Sequence, residues 1–271
     1  MKEEEYKKVI QNAFDEASIG YDSPAMRFFD TSAERLVERL PLKGHEHILD
    51  VATGTGKIAL TAAKRLSRGQ VTGIDLSEGM LKRAREKAQR ENLRNISFRC
   101  ADIDIVDWPK DYFDGLCCGF GVHFWSDMEK SLSRLIRMIK PGGFVAMTSF
   151  AKGSFEPQSN LCLERFKRYG VKLPDSYTWE RLDNIPKTKE LLKKVGFRNI
   201  ESHQTKMGYY LKSPEQWWDL VFYTGFRAFL NQLSEEQVTR YKHEHLKEIE
   251  STADKKGIYL NVEVIFTIAY K

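Results

Sequence analysis

The sequence predicts an α/β fold with a doubly wound, mostly parallel sheet, on two observations. Short apolar runs alternate with helical periodicity between 47 and 150, and a glycine-rich loop, ATGTG, directly follows the first run. Alternation of this kind builds βαβ units, whose sheet is covered on both faces. Right-handed crossovers then gather the strand C-termini on one edge, where open α/β sheets bind ligands.

Each element has its own signal. Residues 1–40 read as helix, because VIQNAF and AERLVERL carry apolar residues at helical spacing around a Gly/Asp/Ser/Pro break at 20–24. HILDVA (47–52) reads as a buried strand and KIALTAAKRL (57–66) as a helix. QVTGIDL (70–76) is the second strand, followed by a helix over 77–92 with Ser77 as N-cap. ISFRCADI (96–103) and FDGLCCGFG (113–121) are the third and fourth strands, and MEKSLSRLIRMI (128–139) is a helix. KPGG (140–143) reads as a turn before a fifth strand, FVAMTSF (144–150). Beyond it, 151–186 reads as irregular, 187–197 as a short helix, 198–211 as a strand and 214–256 as helical. LNVEVIFTIAY (260–270) alternates strongly and closes the chain as a strand. Eight aromatics stand between 209 and 229, which fits a helix packed on the core or a cap over a substrate cavity.

Composition narrows the function classes. With 41% hydrophobic and 30% charged residues, the 271-residue chain is that of an ordinary folded protein. No apolar run approaches the ~18 residues that span a bilayer, and MKEEEYKKVI has no apolar leader segment. A net charge of +5 asks for no nucleic-acid partner, and the basic run KRAREKAQRENLRN (82–95) reads as a solvated helix face. Four cysteines without a CxxC spacing point to a reducing, cytoplasmic setting with neither zinc nor a disulfide framework. The oligomeric state is left open, a homodimer included.

Three nucleotide chemistries compete for the VATGTGKIA loop. A Walker-type phosphate loop fails, because Val51 stands where its first glycine belongs and Ile58 where Ser or Thr must follow the lysine. A dinucleotide fingerprint is met by Gly54, Gly56 and Ala59, with Asp75 near the offset of a ribose-binding acid. That keeps an NADPH-dependent oxidoreductase as the alternative. Asp50, four residues before Gly54, argues for a third ligand, because a pyrophosphate there would face a carboxylate. A phosphate-free nucleoside with a cationic amino acid end would welcome it, and S-adenosylmethionine is such a molecule. Asp75 would accept both ribose hydroxyls, and Asp102 with Ile103 would meet the adenine.

The runs ILDVATGTG, TGIDLSEGML, CADI, FDGLCCGFGVHFWSD and LIRMIKPGGFVAMTSF resemble the class I S-adenosylmethionine-dependent methyltransferases. Within these the chain is most similar to the group holding the quinone-ring C-methyltransferases of ubiquinone and menaquinone synthesis. The resemblance is specific over about 20–150, with Ala52 where many members carry the loop's first glycine. It implies a Rossmann-like, seven-stranded sheet whose last strand is antiparallel, with N-terminal helices and a helical, aromatic-rich C-terminal insertion. The implied organisation is an N-terminal helical lid (1–40), a cofactor-binding core (41–150), the end of the core sheet with an irregular insertion (151–211), a helical substrate cap (212–258) and the final strand (259–271). Carried over by motif, Asp50, Thr53, Gly54 and Gly56 would surround the methionine part, and the Gly119 carbonyl would take its amino group. Asp75 and Leu76 would hold ribose and adenine with Met80 nearby, and Asp102 with Ile103 the adenine. Tyr21 would reach the cofactor's amino acid end.

The implied reaction is methyl transfer to a small, partly apolar molecule by in-line displacement, with the O, N or C acceptor unresolved. The enzyme's task is to align the acceptor and exclude water. A base is needed only for an acceptor that loses a proton. His123, after the fourth strand, is the candidate, as an imidazole that accepts a proton near neutral pH. Trp217, Trp218 and Phe222 are the candidate substrate contacts. The pairs His45/His47 and His243/His245 are set aside, because i,i+2 spacing on a helix does not face one site.

Overall fold

The computed structural model describes residues 3–271. The elements in chain order are α1 (Glu3–Ala17), α2 (Phe28–Glu38), β1 (His47–Val51), α3 (Lys57–Arg65), β2 (Gln70–Asp75), α4 (Glu78–Arg90), β3 (Ile96–Cys100) and β4 (Phe113–Gly119). There follow α5 (Met128–Met138), β5 (Ile139–Phe150), α6 (Gln158–Arg168), α7 (Ile185–Lys194), β6 (Arg198–Lys206) and β7 (Tyr209–Leu211). The chain ends with α8 (Pro214–Tyr223), α9 (Arg227–Leu230), α10 (Glu235–Glu250), β8 (Ile258–Leu260) and β9 (Glu263–Tyr270). They form two compact units that the chain visits alternately. One comprises 29–152, 178–205 and 264–271, the other the segment ending at Phe28 with 153–177 and 206–263.

The first unit is organised by a seven-stranded sheet of order β3-β2-β1-β4-β5-β9-β6. Strands β1 to β5 pair in parallel, and β9 runs antiparallel to β5. This is the expected topology, with strand order reversing between β1 and β4. Central strands are buried almost end to end, β1 from Ile48 to Val51 and β5 from Gly143 to Ser149, as a sheet covered on both faces requires. Side chains alternate between faces. Leu49, Val51, Leu116, Cys118, Val145 and Met147 turn one way, onto Leu132 and Leu135 of α5 and Leu192 of α7. Asp50, Cys117, Gly119 and Thr148 turn the other way, where Ile58 of α3 approaches Gly119. Ser77 caps α4 through Met80 N–H at 3.1 Å, as the sequence signalled.

The second unit packs helices around a two-stranded antiparallel sheet, β7 with β8. Phe166 of α6 stacks on Tyr241 of α10, ring centroids 4.7 Å apart. A capping box at Ser234 starts α10.

Four expectations are corrected. The 140–143 turn is part of β5, which starts at Ile139 with a register shift opposite Phe113. The strand expected over 198–211 is two strands in two sheets. Met207 N–H donates to Val262 O at 2.7 Å, and a side chain at Gly208 would collide with Tyr259 Oη at 2.3 Å. The segment 151–186 contains α6, while the stretch expected to be helical, 214–256, is helical as α8, α9 and α10. β3 ends at Cys100, so Asp102 stands in the turn after it and accepts Asp104 N–H at 2.9 Å.

Candidate functional site

The turn after β1 is held by its own backbone. Thr53 N–H donates to Ile74 O at 2.9 Å, and Gly56 N–H donates to Thr53 O at 2.8 Å. Gly54 (φ +55°) and Gly56 (φ +82°) take the left-handed conformation that glycine adopts without cost. A side chain at Gly54 would meet nothing within 4 Å, so this part of the loop presents bare backbone. Gly56 starts α3 with no side-chain cap.

Asp75, at the end of β2, fastens this loop to the next helix. Its Oδ2 accepts Gly54 N–H at 2.8 Å and its Oδ1 accepts Ser77 N–H at 2.9 Å. Two backbone donors thus fix the orientation of this carboxylate at the end of β2. Leu76 beside it is half-buried, and Met80 lies beneath, 1% exposed.

Asp50 is the unusual group. It is 1% exposed. Its Oδ2 accepts Thr53 Oγ1–H at 2.6 Å and Ala59 N–H at 3.2 Å, while Oδ1 is buried with no partner. Burial, opposed by those two hydrogen bonds, pushes its carboxyl up from 3.8 to about 7, with Asp75 adding to the rise. Buried polar atoms are nearly always satisfied, so an orphaned carboxylate oxygen beside a bare-backbone loop is a departure that calls for an explanation.

The remaining expected residues of this unit fall as follows. Gly119 closes β4, and Phe120 N–H after it donates to Thr148 O at 3.0 Å. Ile103 is 9% exposed. His123 lies in a short 3-10 turn (Val122–Phe124) and is 4% exposed. Its main-chain oxygen accepts Arg181 Nη1–H at 3.1 Å. Burial, with Arg181 second, pushes its imidazole down to about 3. That direction runs against the expectation of an imidazole titrating near neutral pH.

The aromatic candidates belong to the helical unit. Tyr21 is half-buried, edge-on to Phe14 at 6.3 Å. Trp218 is 6% exposed and packs against Phe222 at 5.8 Å. Phe222 is half-buried beneath Arg227, whose guanidinium carbon lies 4.1 Å from the ring. Trp217 is fully buried, and its indole N–H donates to His245 Nε2 at 2.8 Å. That bond ties Trp217 into the packing of the helical unit. His245 in turn joins a buried network with Glu248 at 3.3 Å and Arg165, itself 2.9 Å from Glu248. The i,i+3 spacing of His245 and Glu248 was the signal that sequence reasoning passed over. Among the described residues, no three His, Cys, Asp or Glu gather as a metal site, and no helix is long and apolar enough to cross a membrane.

Comparison with known proteins gives concordant findings. A family profile described as "Methyltransferase domain" matches residues 48–143. The chain is 36% identical over 159 residues to the aklanonic acid methyltransferase DauC of Streptomyces sp. (strain C5), covering 57% of this chain and 72% of that one. It is 28% identical over 176 residues to a demethylmenaquinone methyltransferase of Bacteroides fragilis, covering 60% and 72%. The fold is similar to that of the YcgJ protein of Bacillus subtilis, with a TM-score of 0.61 at 16% identity over 89% of this chain and 98% of that one. It is also similar to a Haemonchus contortus phosphoethanolamine N-methyltransferase 2 in complex with S-adenosyl-L-methionine, with a TM-score of 0.55 at 23% identity over 89% and 52%.

Proposed function

The chain belongs to the class I S-adenosylmethionine-dependent methyltransferases, and on that premise we propose that it methylates a small, partly apolar acceptor at the carboxyl edge of β1, β2 and β4. When bound, the cofactor supplies an electrophilic methyl on a sulfonium, which leaves as a neutral thioether.

The observation that carries the site is the orphaned Oδ1 of Asp50 beside the Gly54 backbone. It fits an ammonium-bearing, phosphate-free nucleoside. It opposes a pyrophosphate, which disfavours the NADPH alternative. Asp50, Thr53, Gly54, Gly56 and the Gly119 carbonyl are the proposed cradle of the amino acid end. Asp75 is the proposed ribose acceptor, already oriented by two N–H groups. Leu76, Met80, Asp102 and Ile103 are the proposed adenine contacts. On the resemblance alone, Tyr21 is proposed for the amino acid end and Trp218 with Phe222 for acceptor choice. His123 is proposed as a neutral acceptor-side residue. Burial that pushes its imidazole down to about 3 makes it a weak base, which favours an acceptor that loses its proton to solvent or to a group of its own.

Asp75→Ala tests the site. Calorimetry should show S-adenosylhomocysteine binding weakened by about tenfold or more, the loss of two charge-assisted hydrogen bonds. Unchanged affinity would remove the ribose assignment. Thermal stabilisation of the wild-type protein by NADPH but not by S-adenosylhomocysteine would overturn the cofactor reading.

A further inference from the structure

Two residues beside the proposed methionine cradle carry side chains at odds with their backbones. Ala52, following β1, stands at φ +51°, a left-handed conformation that favours glycine. Gly121, following β4, stands at φ −100°, ψ −35°, where any residue is at ease. Backbone preference alone would put glycine at 52 and leave 121 unrestricted.

Space accounts for the inversion. A Cβ at Gly121 would lie 2.6 Å from Ala52 Cβ and 2.9 Å from Cys118 Sγ. The gap between the loop after β1 and the turn after β4 therefore holds one methyl, and Ala52 supplies it. Neither wall is free to retreat. On one side, Thr53 is tied to Ile74 O and to Asp50 Oδ2. On the other, Phe120 is itself left-handed at φ +55° and donates its N–H to Thr148 O. Its ring stacks on Phe150 at 4.4 Å and meets Phe29 edge-on at 5.2 Å. Left-handed non-glycine residues persist only where their surroundings over-determine them, and they gather at functional sites.

We infer that the Ala52–Gly121 contact is a one-methyl spacer that sets the width of the cleft for the cofactor's amino acid end, which makes Gly121 a positioning residue for methyl transfer. The inference rests on the reading that this end lies between the 53–56 loop and Gly119.

The test uses Ala52→Gly, Gly121→Ala and the double swap, with calorimetric S-adenosylhomocysteine affinity and the melting temperature of each ligand-free protein. Ala52→Gly relieves the left-handed strain, so it should melt higher, yet bind about fivefold or more weakly because the gap has lost its methyl. Gly121→Ala forces two methyls into the gap and should bind about tenfold or more weakly. The swap removes the 2.6 Å clash with position 52 and leaves only the 2.9 Å contact with Cys118 Sγ, so it should bind about threefold or more tightly than Gly121→Ala. An Ala52→Gly protein that binds undiminished overturns the spacer, and so does a swap no better than the weaker single variant. If Gly121→Ala does not fold, wild type, Ala52→Gly and the swap still decide. Wild-type protein that fails to bind S-adenosylhomocysteine would instead remove the underlying cofactor reading.

Discussion

Asp50 does two things that look opposed. Its carboxyl is 1% exposed and half-satisfied, so ionising it without a cation is expensive. Burial accordingly lifts it to about 7 in the ligand-free chain. A bound ammonium favours the ionised form, so cofactor binding should expel the proton. At about pH 6 most of the ligand-free population carries it, so binding of S-adenosylhomocysteine should release close to one proton, and almost none above about pH 8.5. Calorimetry in buffers of different ionisation enthalpy reads this directly. Equal apparent enthalpies across buffers at about pH 6 would show that Asp50 does not face the ligand's cation. The same carboxyl explains why this residue was legible in sequence. An acid inside an apolar strand directly before a glycine loop has few roles besides a ligand's charge. His123 was legible in place but not in protonation, because the Arg181 that helps depress it lies 58 residues away.

At the scale of elements, legibility followed the range of the contacts. β1, β2, α4 and β4 carry their own pattern, with apolar strands, a glycine turn and a capping serine all local. α6 went unread because Phe166 and Cys162 complete their packing with Tyr241, 79 residues from Cys162. The split of β6 from β7 went unread for a similar reason, since Tyr259 and Val262 decide it. α8 and α10 are joined by the bond from Trp217 to His245, inside a layer where Arg165 pairs with Glu244 and Glu248. Trp217→Phe keeps an aromatic ring but leaves His245 Nε2 buried without its donor. The cost should be about 1–3 kcal/mol, read as a melting temperature lower by a few degrees. An unchanged melting temperature would mean that the bond adds nothing to the helical unit.

For the whole molecule, the chain crosses between its two units repeatedly, an interleaving that no local pattern announces. Its buried titratable groups pull stability in opposite directions with pH. His245 is held down to about 4 and His123 to about 3 from 6.5, both chiefly by burial. A depressed histidine leaves the unfolded chain binding more protons. Its contribution is therefore fully present above about pH 6.5 and is lost as pH falls toward the folded values. Asp50 is raised from 3.8 to about 7, so the folded chain binds the extra proton. Its contribution is present below about pH 4 and is lost as pH rises through about 7. Between about pH 4 and 6.5 the two histidines outweigh the one carboxyl, and stability should climb. Above about pH 7 the unfolded histidines and the folded Asp50 finish titrating together and nearly cancel, so the ligand-free protein should gain melting temperature up to about pH 7 and change little from there to about pH 8. Saturating S-adenosylhomocysteine should steepen the climb between about pH 5 and 7, because the bound cation keeps Asp50 ionised and removes its opposing slope. A climb no steeper with the ligand bound would separate Asp50 from the cofactor's charge while leaving the histidine side of the curve intact.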